Sequence, residues 1–257
     1  MARQTSVEKL DKYDLYLRAV QDPPAMADFL EGVYRDVNRK APKTLREDFS
    51  GAFALTCEWV TRGKDRRGIA IDNDAKPLAY STRHYLERMD AAEQKRVKVL
   101  KADVRSPKLP TADLVASLNF SYGIFKTRPA LVKYLKQVRA KLSAGGLVVL
   151  DCLGGIEIAS QMSSTAQLDG FSYTWEQEDF NPLTREAKFA IHFQPDGKPL
   201  SRRVFTYDWR MWTPIELREI LQELGFKQTY LYWQGYGRSE SVPDSGQSWT
   251  AYVVGKK

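Results

Sequence analysis

The sequence predicts one α/β domain built on a mostly parallel sheet, with an antiparallel β insert after the fifth strand. Three observations predict it. Between residues 44 and 155, short apolar runs alternate with longer amphipathic segments, the pattern of βα units joined by right-handed crossovers. After residue 155 the alternation gives way to consecutive strand-like runs, which pair as hairpins. A length of 257 residues suits one large domain carrying an insertion.

The elements follow in order. Residues 1–43 read as a helical cap, in which 11–20 and 25–37 carry apolar residues at helical spacing and Pro23-Pro24 separates them. Strands are expected at 44–49, 67–71, 97–102, 114–118 and 147–150, and helices at 52–62, 74–89 and 128–142. In the last helix Leu131, Tyr134, Leu135, Val138 and Leu142 share one face, and Gly145-Gly146 stops it. The insert, 156–212, should hold three antiparallel strands at 171–180, 188–194 and 202–209, with Asp196-Gly197 as the turn between the last two. Thr213-Pro214-Ile215-Glu216 is a capping box with proline at the first helical position. Leu217, Ile220, Leu221 and Leu224 form the apolar face behind it, and two strands near 228–233 and 249–254 close the chain.

Composition excludes several classes. Hydrophobic residues at 43% supply a core, and no apolar run reaches the roughly 18 residues of a membrane span. The segment from Met1 to Asp11 is polar and lacks the apolar stretch of a secretory signal, so a cytoplasmic location and no membrane partner are expected. Cys57 and Cys152 have neither metal-site nor disulfide-framework spacing, so no metal is expected. The net charge is +7, from 39 basic and 32 acidic residues. The cations are spread along the chain without a block, so a solvated basic surface is favoured over a nucleic-acid footprint.

Ligands of open α/β sheets sit beyond the carboxyl ends of the strands, at the switch point. The first strand exits through Leu45-Arg46-Glu47-Asp48-Phe49-Ser50-Gly51-Ala52-Phe53, an acid followed by a tight turn in which Gly51 lets backbone approach a ligand. The second strand ends in Asp72-Asn73, 25 residues beyond Glu47, where an acid can accept both hydroxyls of a ribose. The third ends in Asp103-Val104, where an acid can accept an exocyclic adenine amine. Each acid alone could merely cap the next segment; acids at three consecutive strand tips argue for a ligand.

From about residue 40 to its end the chain resembles class I S-adenosylmethionine-dependent methyltransferases. The resemblance rests on Glu47–Ala52 as first motif, Asp72 and Asp103, 112–119 as the fourth strand, and Gly145-Gly146-Leu147-Val148-Val149-Leu150-Asp151. Tyr13-Asp14-Leu15-Tyr16 resembles the N-terminal tyrosine motif of small-molecule members. Leu45–Gly51, Leu118–Tyr122 and Asp208–Thr213 together resemble one bacterial subgroup without an assigned substrate. Phe49 and Phe53 depart from the family pattern, standing where it has its first and third glycines.

The resemblance implies a Rossmann-like, seven-stranded sheet with its last strand antiparallel, formed by 44–155 and 213–257. The insert, 156–212, would be a substrate lid or dimer contact. S-adenosylmethionine would be the cofactor and S-adenosylhomocysteine the product. The residues expected to bind it are Tyr16, Arg46, Glu47, Ser50, Gly51, Asp72, Asn73, Asp103, Val104, Asn119 and Phe120, with Arg46 holding its carboxylate. Tyr122 and His192 are the expected catalytic residues, His192 as proton acceptor. Tyr122, Trp175 and Trp209 are expected to bind substrate, the aromatics of the insert offering ring faces to a planar or cationic acceptor. The leading expectation is transfer to N or O of a small molecule by a monomer or homodimer. The alternatives are an RNA or protein methyltransferase, to which Asn119-Phe120-Ser121-Tyr122 bears a partial likeness, and a non-catalytic cofactor-binding protein. An NAD site is disfavoured because Gly-x-Gly-x-x-Gly is missing.

Overall fold

The computed structural model describes residues 11–235, 237–241 and 248–257; most of the polar N-terminal segment lies outside them. Two helices come first, α1 (Lys12–Val20) and α2 (Pro23–Asn38). Pro23 and Pro24 open α2 rather than merely separating the helices, because the first turn has no use for their missing N–H groups. Then β1 (Thr44–Asp48), α3 (Ala54–Thr61), β2 (Arg67–Asp72), α4 (Ala75–His84), α5 (Ala91–Gln94), β3 (Val97–Lys101), β4 (Ala112–Ser117), α6 (Arg128–Ala140) and β5 (Leu142–Gly154) alternate. The chain closes with α7 (Pro214–Glu223), β10 (Gln228–Trp233), β11 (Gly237–Arg238) and β12 (Trp249–Lys256), after an insert of β6 (Met162–Leu168), β7 (Phe171–Phe180), β8 (Glu186–Pro195) and β9 (Ser201–Arg210).

The main sheet has the order β11-β10-β12-β5-β4-β1-β2-β3. Strands β3, β2, β1, β4 and β5 are mutually parallel, and β12 runs antiparallel between β5 and β10. The eighth strand, unforeseen, is the two-residue β11 at the edge. Successive residues of β5 serve opposite faces: Leu147 and Val149 pack with α2 and α3, Val148 and Leu150 with α6 and α7. This period-two division places apolar layers on both sides of the sheet. The sheet order reverses between β1 and β4, which opens the crevice at their carboxyl ends.

The insert is a four-stranded antiparallel sheet, β6-β7-β8-β9. Its first strand was not expected, because the sequence of β6, Met-Ser-Ser-Thr-Ala-Gln-Leu, is polar and mostly exposed. Pairing with β7, not burial, makes it a strand. The inner face, including Phe171, Ile191 and Phe193, packs on Leu15 and Tyr16 of α1. Trp209 and Met211 pack near Phe120 and Leu153. Gly123 permits this seat: a Cβ there would stand 2.9 Å from Cβ of Trp209 and 3.1 Å from the carbonyl oxygen of Arg210.

Candidate active site

Glu47 and Asp48 leave β1 towards opposite faces. Glu47 is buried, and its Oε2 accepts the Thr56 hydroxyl at 2.6 Å and the Thr56 N–H at 3.2 Å. Burial pushes its carboxyl up to about 7, against the Thr56 hydrogen bonds. Arg46 and Asp48, both fully buried, form a bidentate pair with N···O distances of 2.8 and 2.9 Å. Tyr134 donates its hydroxyl to the same carboxylate at 2.9 Å. Arg46 therefore lies elsewhere than expected: its guanidinium is consumed inside the α6 layer and lines neither of the clefts described below.

The turn after β1 is left-handed at two positions, Phe49 (φ 59°) and Gly51 (φ 50°). Phe49 takes the glycine-favouring conformation with its ring 5.9 Å from Phe125 and 5.6 Å from Tyr134; aromatic packing offsets the backbone strain. Gly51 donates its N–H to Oδ2 of Asp72 at 2.7 Å, while Oδ1 accepts from Asp74 at 2.8 Å. A Cβ added to Gly51 would meet no atom within 4 Å, so the glycine faces open space. Ser50 is buried, and its hydroxyl has no hydrogen-bond partner among the described residues.

Beside this turn, Asp72, Asn73, Asp103 and Val104 line one small cleft of about 60 Å³ together with Phe49 and Phe125. The sequence expectation thus converges there from two strand tips. Asp103 is half-exposed and paired with Arg105 at 2.6 Å, whose hydrogen bonds hold its carboxyl below the usual range. A second small cleft lies on the other side, lined by Glu47, Leu118, Asn119, Val20 and Met26.

Asn119 and Val20 also line a chamber of about 450 Å³ between the main sheet and the insert. Tyr16, Phe120, Tyr173, Trp175, Tyr207 and Trp209 supply its aromatic walls. Tyr207 stacks on Trp209 at 4.3 Å between centroids. Ser164, Gln177 and Thr250 add polar atoms, and Glu157 adds a carboxylate. The Tyr16, Tyr173 and Tyr207 hydroxyls are all held up by burial, Tyr173 to about 12.

The loop that joins the second cleft to the chamber is fixed by a residue to which sequence reasoning gave no role. Asn119 (φ 54°) and Phe120 (φ 57°) are consecutive left-handed residues. Their N–H groups donate to Oδ2 and Oδ1 of Asp151 at 2.6 and 2.9 Å. Asp151 is buried at 5% exposure, and burial pushes its carboxyl up to about 7 against those two hydrogen bonds. The signal was an acid directly after the strand expected at 147–150, parallel to the acids ending β1, β2 and the β3 exit.

Two further expectations are corrected. Tyr122 is 3% exposed and donates its hydroxyl to the Asp151 carbonyl at 2.6 Å; it braces the loop and does not line the chamber. His192 faces away from the chamber, because Ile191 on the same strand faces in and strand neighbours alternate. Its Nδ1 accepts the Arg203 N–H at 3.2 Å, and Nε2 stands 2.8 Å from Glu176.

Among the described residues no cluster of three His, Cys, Asp or Glu side chains could hold a metal, and no helix is long and apolar enough to cross a membrane. No protein-family model and no curated protein matches the sequence. Solved structures do match. A S-adenosylmethionine-dependent methyltransferase from Clostridium acetobutylicum aligns over 94% of this chain and 95% of its own, with TM-score 0.69 and 17% identity. CalS10, an amino pentose methyltransferase from Micromonospora echinaspora solved with S-adenosylmethionine bound, aligns over 98% and 100%, with TM-score 0.70 and 14% identity. DesVI from Streptomyces venezuelae aligns over 98% and 99%, with TM-score 0.71 and 18% identity. The chain has the Rossmann-like fold of S-adenosylmethionine-dependent methyltransferases.

Proposed function

We propose that this chain is a methyltransferase that binds S-adenosylmethionine across the carboxyl ends of β1, β2 and β3 and methylates nitrogen or oxygen of a small molecule in the aromatic chamber. The observation that carries the reading is the position of Asn119, which lines both the chamber and the cleft beside Glu47. The whole fold's likeness to such enzymes, including one acting on an amino pentose, supports it.

The residues at the strand tips fit the cofactor. The cleft between Phe49 and Val104 suits a flat adenine, with Asp103 as acceptor for its amine. Each oxygen of Asp72 uses one lone pair on a backbone N–H, leaving another for a ribose hydroxyl. Open space over Gly51 admits the chain between ribose and sulfur, and the unpartnered Ser50 hydroxyl lies beside that turn. Glu47 and Asn119 would flank the methionine end. The residues 1–43 would act as a cap through Tyr16, and 156–212 as the substrate lid.

The bound cofactor supplies an electrophilic methyl group; the chain positions and desolvates the acceptor. Asp151 holds the Asn119–Phe120 backbone in its strained form, which aims both residues at the junction of cleft and chamber. The aromatic walls exclude water around the acceptor, with Trp175 and Trp209 as its main contacts. The test is calorimetric titration with S-adenosylmethionine, with NAD as control, followed by mass spectrometry of amine and hydroxyl acceptors. Saturable binding, absent for NAD, and a methyl's gain in mass are expected. Failure to bind the cofactor at millimolar concentration overturns the reading.

A further inference from the structure

The opposite end of the parallel strands carries a second large cavity, an open groove of about 740 Å³ across the amino ends of β1, β2 and β3. Six cations line it: Lys43, Lys64, Arg67, Lys95, Arg96 and Lys98. Two acids accompany them, Asp65 and Asp113, so the groove has a formal charge of +4. The whole chain carries +7; more than half of that excess therefore sits in this one groove. The cations come from three separate stretches of sequence, which the parallel strands gather at one end of the sheet.

The internal pairing leaves most of that charge available. Asp113 is committed to the fold: it accepts the N–H groups of Lys43 and Thr44 at 2.9 and 3.1 Å and the Ser143 hydroxyl at 2.8 Å. Asp65 faces Lys43 at 3.6 Å. Arg96 spends its guanidinium on the carbonyls of Val60, Gly63 and Arg66, so it stays fixed as a half-buried positive wall. Lys64, Arg67, Lys95 and Lys98 are exposed and form no ion pair among the described residues. Like charges so gathered repel one another, and a bound polyanion relieves the repulsion.

We propose that this groove binds a run of closely spaced phosphates, as presented by a nucleic-acid strand. The binding is separate from the methyl-transfer reading, since the groove lies at the far end of the strands from the chamber and does not depend on it. The two inter-strand spacings of about 4.8 Å among β1, β2 and β3 span on the order of three phosphates at about 3.4 Å each. No aromatic side chain lines the groove, so the contact is to phosphates without base stacking, and independent of sequence.

The test uses the full chain and fluorescence anisotropy of a labelled single-stranded oligoribonucleotide, with a nucleoside triphosphate titrated in parallel as the free-phosphate source. Neutralising about three phosphates predicts a slope of log affinity against log salt near −2. The triple variant Lys64→Glu, Arg67→Glu, Lys98→Glu should bind at least tenfold more weakly with an unchanged melting temperature. A second triple variant, Lys198→Glu, Arg202→Glu, Lys227→Glu, makes the same change in net charge at exposed positions elsewhere and should retain binding. Tight binding of the triphosphate, lost in the first variant only, would identify the free anion as the ligand. Absence of saturable binding to either probe, or equal weakening in both variants, overturns the proposal.

Discussion

The backbone N–H of Gly51 donates to the carboxylate of Asp72 at 2.7 Å, tying the turn after β1 to the tip of β2. One acid thereby shapes the cradle that it also faces. Two substitutions separate those roles. Gly51→Ala keeps the bond but puts a methyl into open space and forces a side chain into the left-handed region. It should cost about 1 kcal/mol in stability and weaken cofactor binding tenfold or more. Asp72→Ala should lose about 2 kcal/mol, since two amides lose a charged acceptor, and abolish cofactor binding. Calorimetry and thermal melting on the same samples distinguish the two; a Gly51→Ala protein that binds normally would contradict the placement of the cofactor.

Glu47 and Asp151 give the fold a definite pH dependence. Burial raises both carboxyls to about 7 in the folded chain, from 4.5 and 3.8. The native state therefore holds more protons than the unfolded chain between those limits. Their contribution to stability is complete below the unfolded values and is lost as pH rises through about 7. Melting temperature should fall from pH 5 to pH 8, and the fall should shrink in Glu47→Gln and Asp151→Asn relative to wild type. An identical slope in both variants would remove these residues as its source.

Asp151→Asn should also lower turnover. An amide oxygen can accept one of the two N–H bonds while its NH2 opposes the other, so the Asn119–Phe120 loop loses part of its support. A fall in kcat with little change in cofactor affinity is expected, measured by steady-state kinetics on whichever acceptor is identified.

The chamber walls and the buried residues behind them should respond differently. Trp175→Ala and Trp209→Ala should raise KM for the acceptor at least tenfold and leave cofactor affinity within about twofold, because both rings line the chamber alone. His192→Ala should leave kcat within about twofold. Tyr122→Phe should cost about 1 kcal/mol of stability for its lost hydrogen bond, while the pH–rate profile stays unchanged.

Arg46→Met should be among the most damaging single changes, by about 3–5 kcal/mol, since it leaves Asp48 buried and unpaired. Chemical denaturation of Arg46→Met and of Arg46→Met with Asp48→Leu measures it. The double variant should recover part of the loss because both charges are gone. Equal destabilisation of the single and double variants would show that packing, not charge, dominates there.

The sequence by itself determined the alternating α/β order and the placing of Glu47, Asp72 and Asp103 at the ends of three consecutive strands. These are local properties: apolar period, capping residues and turn residues act within a few positions of themselves. Whether a side chain at such a tip meets a ligand is not local. Tyr122, His192 and Arg46 have suitable chemistry in the sequence, but a period of two says only that neighbours face opposite ways, not which face meets the crevice. Packing decided that, burying His192 on the face of the insert away from the chamber and sealing Arg46 against Asp48 and Tyr134. Asp151 and the basic groove came into view only in three dimensions, because their partners lie 31 and 32 residues away in one case and on three separate stretches in the other. Long-range contact, which burial and sheet register fix jointly, is the information that no local pattern carries.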